Sequence, residues 1–184
     1  MKYRPTASQT VGPFSRLGFA WLAKKDLAAP ESAGEWISIS GAVYDGDRRP
    51  VNDAVLELWQ ADAHGEYAAA PDPQALGFGR VMTDGQGRFR FATVKPGPVP
   101  QGADGNAQEA PHIHVALFAR GMIRHRFTRI YFSDETANDT DPTLTLDIIG
   151  ARRQTLIAKR RRSGAAYRWD IVLQGEGETV FFDF

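Results

Sequence analysis

His112 and His114, two of the four histidines in this chain of 184 residues, lie one residue apart in Ala110-Pro111-His112-Ile113-His114-Val115. A strand repeats every two residues, so both imidazoles leave one face and can converge on a single metal ion. The same spacing serves two histidines on a half-exposed strand that hydrogen-bond to their neighbours, and two imidazoles do not complete a metal site. Other chemistry is poorly supported. No pair of carboxylates sits at a spacing that forces a glycosidase-like arrangement or a facial triad, and there is no G-x-S-x-G nucleophile. Gly85-Gln86-Gly87 lacks the glycine-lysine-serine continuation of a phosphate loop and reads as a hairpin turn. The run Lys159-Arg160-Arg161-Arg162 is short, and in a neutral chain it reads as a solvated face or subunit contact rather than a nucleic-acid site.

The elements that must position the histidines have a period close to two. Trp36–Tyr44, Ala54–Gln60, Arg88–Val94, His112–Phe118, Arg126–Phe132, Tyr167–Leu173 and Thr179–Phe182 read as strands, separated by Gly, Pro and Asp turns. Helical patterns are confined to Arg152–Arg162 and, more weakly, Phe19–Asp26. Pro96–Pro111, with three glycines and four prolines, is an irregular connection leading into the histidine strand. The pattern predicts an all-β domain: an antiparallel β-sandwich of two packed sheets with long loops and at most short helices. One domain is expected over residues 1–184, with an N-terminal arm over 1–35 and the sandwich core over 36–184.

Twenty-two basic and twenty-two acidic residues cancel, so no electrostatic pull toward nucleic acid or an anionic membrane is expected. The absence of cysteine excludes disulfides and thiol catalysis. Neither a secretory signal nor an apolar run of membrane-spanning length is visible, so a cytoplasmic location is the expectation.

Four ordered motifs then combine: Leu58-Trp59-Gln60-Ala61-Asp62-Ala63-His64-Gly65-Glu66-Tyr67, Gly79-Arg80-Val81-Met82-Thr83-Asp84, Val94-Lys95-Pro96-Gly97-Pro98 and Pro111-His112-Ile113-His114. Together they resemble the intradiol ring-cleaving dioxygenases, which use non-haem iron(III) to open catechols between the two hydroxyls. Ser8–Phe14, Leu156–Arg160 and Gln174–Phe184 narrow the likeness to the alpha type of chain in two-chain members acting on protocatechuate (3,4-dihydroxybenzoate).

In catalytic chains of this family two tyrosines and two histidines hold the iron. The resemblance puts Tyr67 at the first tyrosine and His112 and His114 at both histidines. The second tyrosine position is Val99, and the arginine expected three residues before the first histidine is Glu109. Both departures fall at chemical positions, so the resemblance implies a remnant site and an Fe(3+) cofactor bound by a homologous beta chain in obligate alpha-beta pairs. The share implied for this chain is substrate binding: Thr10, Gly12, Pro13 and Phe14 lining the partner's pocket, and Arg129 contacting the benzoate carboxylate. Two alternatives stay open. One is a self-sufficient iron(III) dioxygenase; the other is a non-enzymatic sandwich module on the same scaffold.

Overall fold

The computed structural model describes residues 6–12, 14–68, 77–101, 107–162 and 164–183. Among these residues eleven strands carry the fold: β1 Trp36–Tyr44, β2 Val55–Gln60, β3 Phe78–Met82, β4 Arg88–Val94, β5 Val99–Gln101, β6 Ala107–Glu109, β7 His112–Phe118, β8 Arg126–Phe132, β9 Ile157–Arg160, β10 Ala166–Arg168 and β11 Ile171–Val172. Among the described residues helix is limited to α1, Phe14–Phe19, and three 3-10 segments at Ala20–Leu22, Thr136–Asp139 and Gly150–Leu156. The all-β expectation holds at this level.

The arrangement of strands differs from the expected pair of antiparallel sheets. One mixed nine-stranded sheet runs β11-β1-β10-β9-β8-β7-β2-β3 with β4 on the other side of β1, and β5 and β6 form a separate hairpin. Three pairings are parallel: β1 with β10, β1 with β11, and β8 with β9. Residue alternation reports which face is buried and carries no information on strand direction, which the connections decide. The long segment between β8 and β9 permits a parallel crossover. The free edges of β3 and β4 are bridged by residues 24–27. Lys24 exchanges backbone hydrogen bonds with Arg80 at 2.8 and 2.9 Å, and Lys25 and Leu27 bond Ala92 at 2.9 and 3.0 Å. The sheet therefore almost closes on itself, and Leu27, inside the expected arm, is fully buried in the core.

Other local expectations change as well. Arg152–Arg162 is a 3-10 segment that passes into strand β9, and Thr179–Phe182 makes only an isolated bridge, Phe127 to Phe182. β3 was not expected, and part of the irregular connection before the histidines is the β5–β6 hairpin. Tyr167–Leu173 is split into β10 and β11, both against one edge of β1.

Alternation along β7 decides where the histidines face. Ile113, Val115 and Leu117 enter the main core with Ile130 and Phe132 of β8. His112 and His114 leave the opposite face. That face is covered by a second apolar cluster comprising Ala110, Tyr131, Leu144, Ile149, Leu156 and Val180. His112 is consequently fully buried although it points away from the main core.

Candidate functional site

Pairing registers assemble the site. Across β7 and β8, His112 opposes Tyr131 and His114 opposes Arg129, and across β2 and β7, Trp59 opposes His114. Tyr67 follows β2 and its ring stacks at 6.1 Å on Trp59, which aims the phenol at the imidazoles. Three polar atoms converge: the Tyr67 hydroxyl lies 3.0 Å from His114 Nε2 and 3.4 Å from His112 Nε2, and the two Nε2 atoms are 3.1 Å apart. His112 Nδ1 sits 2.8 Å from the Ala110 carbonyl. A carbonyl only accepts, so Nδ1 carries the proton and Nε2 presents its lone pair to the cluster.

The electrostatics keep the cluster neutral. Burial pushes the Tyr67 phenol up to about 12, opposed by the nearby Arg129. Burial, then the neighbouring His112 and Arg129, push His114 down to about 3, and burial and Arg129 hold His112 below its ordinary value. At neutral pH the site therefore holds a protonated phenol and two neutral imidazoles.

Arg129 supplies the charge beside them. One guanidinium nitrogen donates to Glu109 Oε1 at 2.9 Å, to the Tyr131 hydroxyl at 3.2 Å and to Thr143 Oγ1 at 3.2 Å. The Tyr131 hydroxyl donates in turn to Asp141 Oδ1 at 3.2 Å. Asp141, fully buried, accepts from the backbone N–H groups of Ala110, Thr143 and Leu144 at 2.8, 2.9 and 2.9 Å. This carboxylate fixes the residue that precedes the histidine strand and the loop that covers it. Sequence reasoning missed Tyr131, Asp141 and Thr143. Tyr131 was accessible to it, lying two residues beyond Arg129 on one strand face, whereas nothing local marks the other two.

Tyr67, His112 and His114 are thus brought together as expected. Ligands held about 2.0–2.1 Å from one metal stand about 3 Å apart, close to the separations here. The donor set still does not fit a ferric ion that needs two tyrosinates. Val99 offers no donor, and Glu109 is engaged by Arg129. Among the described residues no group of three His, Asp or Glu side chains is placed to hold a metal.

Of the residues expected to bind substrate, Arg129 lies at this cluster and the arm lies elsewhere. Thr10 accepts the Gly121 N–H at 3.0 Å, beyond the Phe118 end of β7, whereas Arg129 opposes His114 near its start. The structure therefore does not bring Arg129 together with the arm. A cleft of about 400 Å³ lies between the arm and the turn that joins β7 to β8, with Val11, Phe118, Met122, His125 and Phe182 among its walls. Gly12 stands in open space and the Phe14 ring is 77% exposed. Pro13 lies outside the described residues. A guanidinium that sequence reasoning passed over, Arg120, sits beside this anchor, paired with Asp53 and 62% exposed.

Comparison with known proteins agrees with this architecture. The Dioxygenase family model matches residues 20–175. The chain is 46% identical to the protocatechuate 3,4-dioxygenase alpha chain of Pseudomonas putida, over 97% of this chain and 96% of that one. It is 36% identical to the beta chain of the Burkholderia cepacia enzyme, over 86% of this chain and 72% of that one. Among solved structures, a dioxygenase domain from Streptomyces sp. SirexAA-E superposes with a TM-score of 0.64 at 26% identity, covering 83% of this chain and 88% of that one. The chain belongs to the intradiol ring-cleaving dioxygenases, an iron-dependent family. Within it, near-full-length similarity to alpha chains extends to that of Burkholderia cepacia, at 43% identity over 98% of both chains.

Proposed function

We propose that this chain is the alpha subunit of a protocatechuate 3,4-dioxygenase, which cleaves 3,4-dihydroxybenzoate with dioxygen to 3-carboxy-cis,cis-muconate in cytoplasmic aromatic catabolism by the beta-ketoadipate pathway. Iron(III) is held by a homologous beta chain, where it supplies Lewis-acid activation of the catechol. The similarity to both alpha and beta chains supports an alpha-beta assembly.

The observation that carries this division of labour is the separation within one chain of a donor cluster lacking its fourth ligand and an arm anchored at the other end of β7. An arm laid on Gly121, with Gly12 and Phe14 uncovered, is suited to a neighbouring chain's pocket and not to its own. Thr10, Gly12, Pro13 and Phe14 line that pocket in our reading. Phe14 packs against the substrate ring and excludes water.

Two guanidiniums are candidates for the benzoate carboxylate. Each has to leave a carboxylate to reach it, Arg129 leaving Glu109 and Arg120 leaving Asp53, so Arg120 is favoured only by its greater exposure beside the Thr10 anchor. Co-expression with a beta chain, followed by native mass and metal analysis, tests the division: one iron per pair is expected, and two would overturn it. Within that complex, Arg120→Gln should raise the apparent KM for protocatechuate more than Arg129→Gln does.

A further inference from the structure

The donor triangle of Tyr67, His112 and His114 has the spacing of a metal site, so geometry alone does not keep metal out. What sits against it is a buried cation. Arg129 lies directly across the β7–β8 ladder from His114, and with only 13% of its side chain exposed its charge is little screened by bulk solvent. Its partner Glu109 is the carboxylate nearest to becoming a further ligand. One oxygen, Oε1, is 2.9 Å from the guanidinium, while the other, Oε2, is 3.7 Å from His112 Nε2.

We infer that Arg129 is the residue that keeps this chain free of metal: its guanidinium occupies the electrostatic place of a metal ion and holds Glu109 out of the donor set. A guanidinium cannot be deprotonated in a protein, so the exclusion does not switch off with pH. A second cation entering the triangle meets the repulsion of a mostly buried charge, and it finds the Glu109 carboxylate already neutralised. With the charge removed, Glu109 is free to turn toward His112, and Tyr67, His112, His114 and Glu109 become a four-donor set of mixed N and O ligands suited to a divalent transition ion. This inference goes beyond the assignment of substrate and partner, since it concerns only residues of this chain.

Cobalt(II) is the probe, because its visible d–d bands report nitrogen and oxygen ligation independently of the partner's iron and of turnover. The co-purified alpha-beta complex is titrated with cobalt(II), desalted and analysed for metal. The wild-type complex and Arg129→Lys, which keeps the charge, should retain none beyond background. Arg129→Gln, which removes the charge and keeps a polar side chain, should retain one cobalt per alpha chain with new visible bands, and Arg129→Gln/His114→Ala should lose it again. Stoichiometric cobalt in the wild type, or in Arg129→Lys, would overturn the inference. So would a folded Arg129→Gln complex that retains none, because the missing donor at Val99 would then be sufficient to exclude metal. Failure of the alpha-beta assignment would appear separately, as iron in the alpha chain.

Discussion

Val99 and Glu109 are direct partners across the β5–β6 hairpin. The two positions at which this chain departs from the catalytic pattern therefore share one rung of one ladder, next to the histidine strand. Replacing a phenol by valine removes a ligand, and the carboxylate opposite it meets the guanidinium of Arg129. The two departures are one structural change, from a metal-binding corner to an ion-paired one.

The strength of that corner is measurable through Glu109→Gln. The substitution leaves Arg129, mostly buried, with only neutral partners. Breaking one side of a buried pair costs more than the pair contributes, so a loss of about 2–4 kcal/mol is expected. Urea denaturation should show a lower midpoint at unchanged slope. An unchanged midpoint would mean that Tyr131 and Thr143 satisfy the guanidinium unaided.

Thr10→Ala removes the side-chain acceptor that ties the arm to Gly121. The bond is exposed, so stability should change by less than about 0.5 kcal/mol. Arm placement over the partner's pocket should suffer more. In the assembled enzyme we expect a several-fold rise in the apparent KM for protocatechuate, with Thr10→Ser close to wild type. Unaltered kinetics would remove Thr10 from the pocket.

How much of this was legible in the sequence depends on the range of the interaction. The faces of β1, β2, β7 and β8 follow from alternation, because each strand has one apolar row. Convergence of Tyr67 on the histidines came only from the family resemblance, since the phenol arrives from the loop after β2. Closure by residues 24–27 was not legible. Those bonds are backbone to backbone, and Lys24-Lys25-Asp26 has no apolar period to announce them. β9 was hidden for a related reason: at Lys159 and Arg160 both side chains are exposed, so only the backbone pairing marks them as strand. The engagement of Arg129 by Glu109 was equally hidden, because it links residues 20 apart through a hairpin that looked irregular.

Asp134 should set part of the acid limit of stability. Burial by itself would raise its pKa, but hydrogen bonds from Lys95, Arg160 and Tyr167 outweigh that and hold the carboxyl down at about 2. Its unfolded value is about 3.9. A depressed carboxyl contributes stability that is fully present above the unfolded value and is lost as pH falls through the folded one. Asp134→Asn should therefore lower Tm at pH 7, by a solvent-screened loss of about 0.5–1.5 kcal/mol, and flatten the decline of Tm between about pH 4 and pH 2. An equally steep decline in the variant would assign the acid limit to other groups.

Gly41 tests the crossing that lets β10 and β11 share one edge of β1. Between the two pairings the chain passes through Trp169, whose N–H donates to the Ser40 carbonyl at 3.0 Å, and Asp170, whose side chain accepts from the Ala42 N–H at 2.8 Å. A Cβ on Gly41 would run into the Trp169 carbonyl and, at 2.6 Å, the Phe89 ring. The first obstacle is backbone fixed by hydrogen bonds on either side of it, so it cannot yield as a flexible side chain would. Gly41→Ala is expected to cost more than about 3 kcal/mol, beyond ordinary overpacking, whereas Gly85→Ala, with nothing within 4 Å of the new methyl, should be close to neutral. Urea midpoints of the two variants measured side by side check both. If Gly41→Ala stays within about 0.5 kcal/mol of wild type, as ordinary surface substitutions do, the crossing at Trp169 is soft enough to move, and the shared edge is not the rigid junction described above.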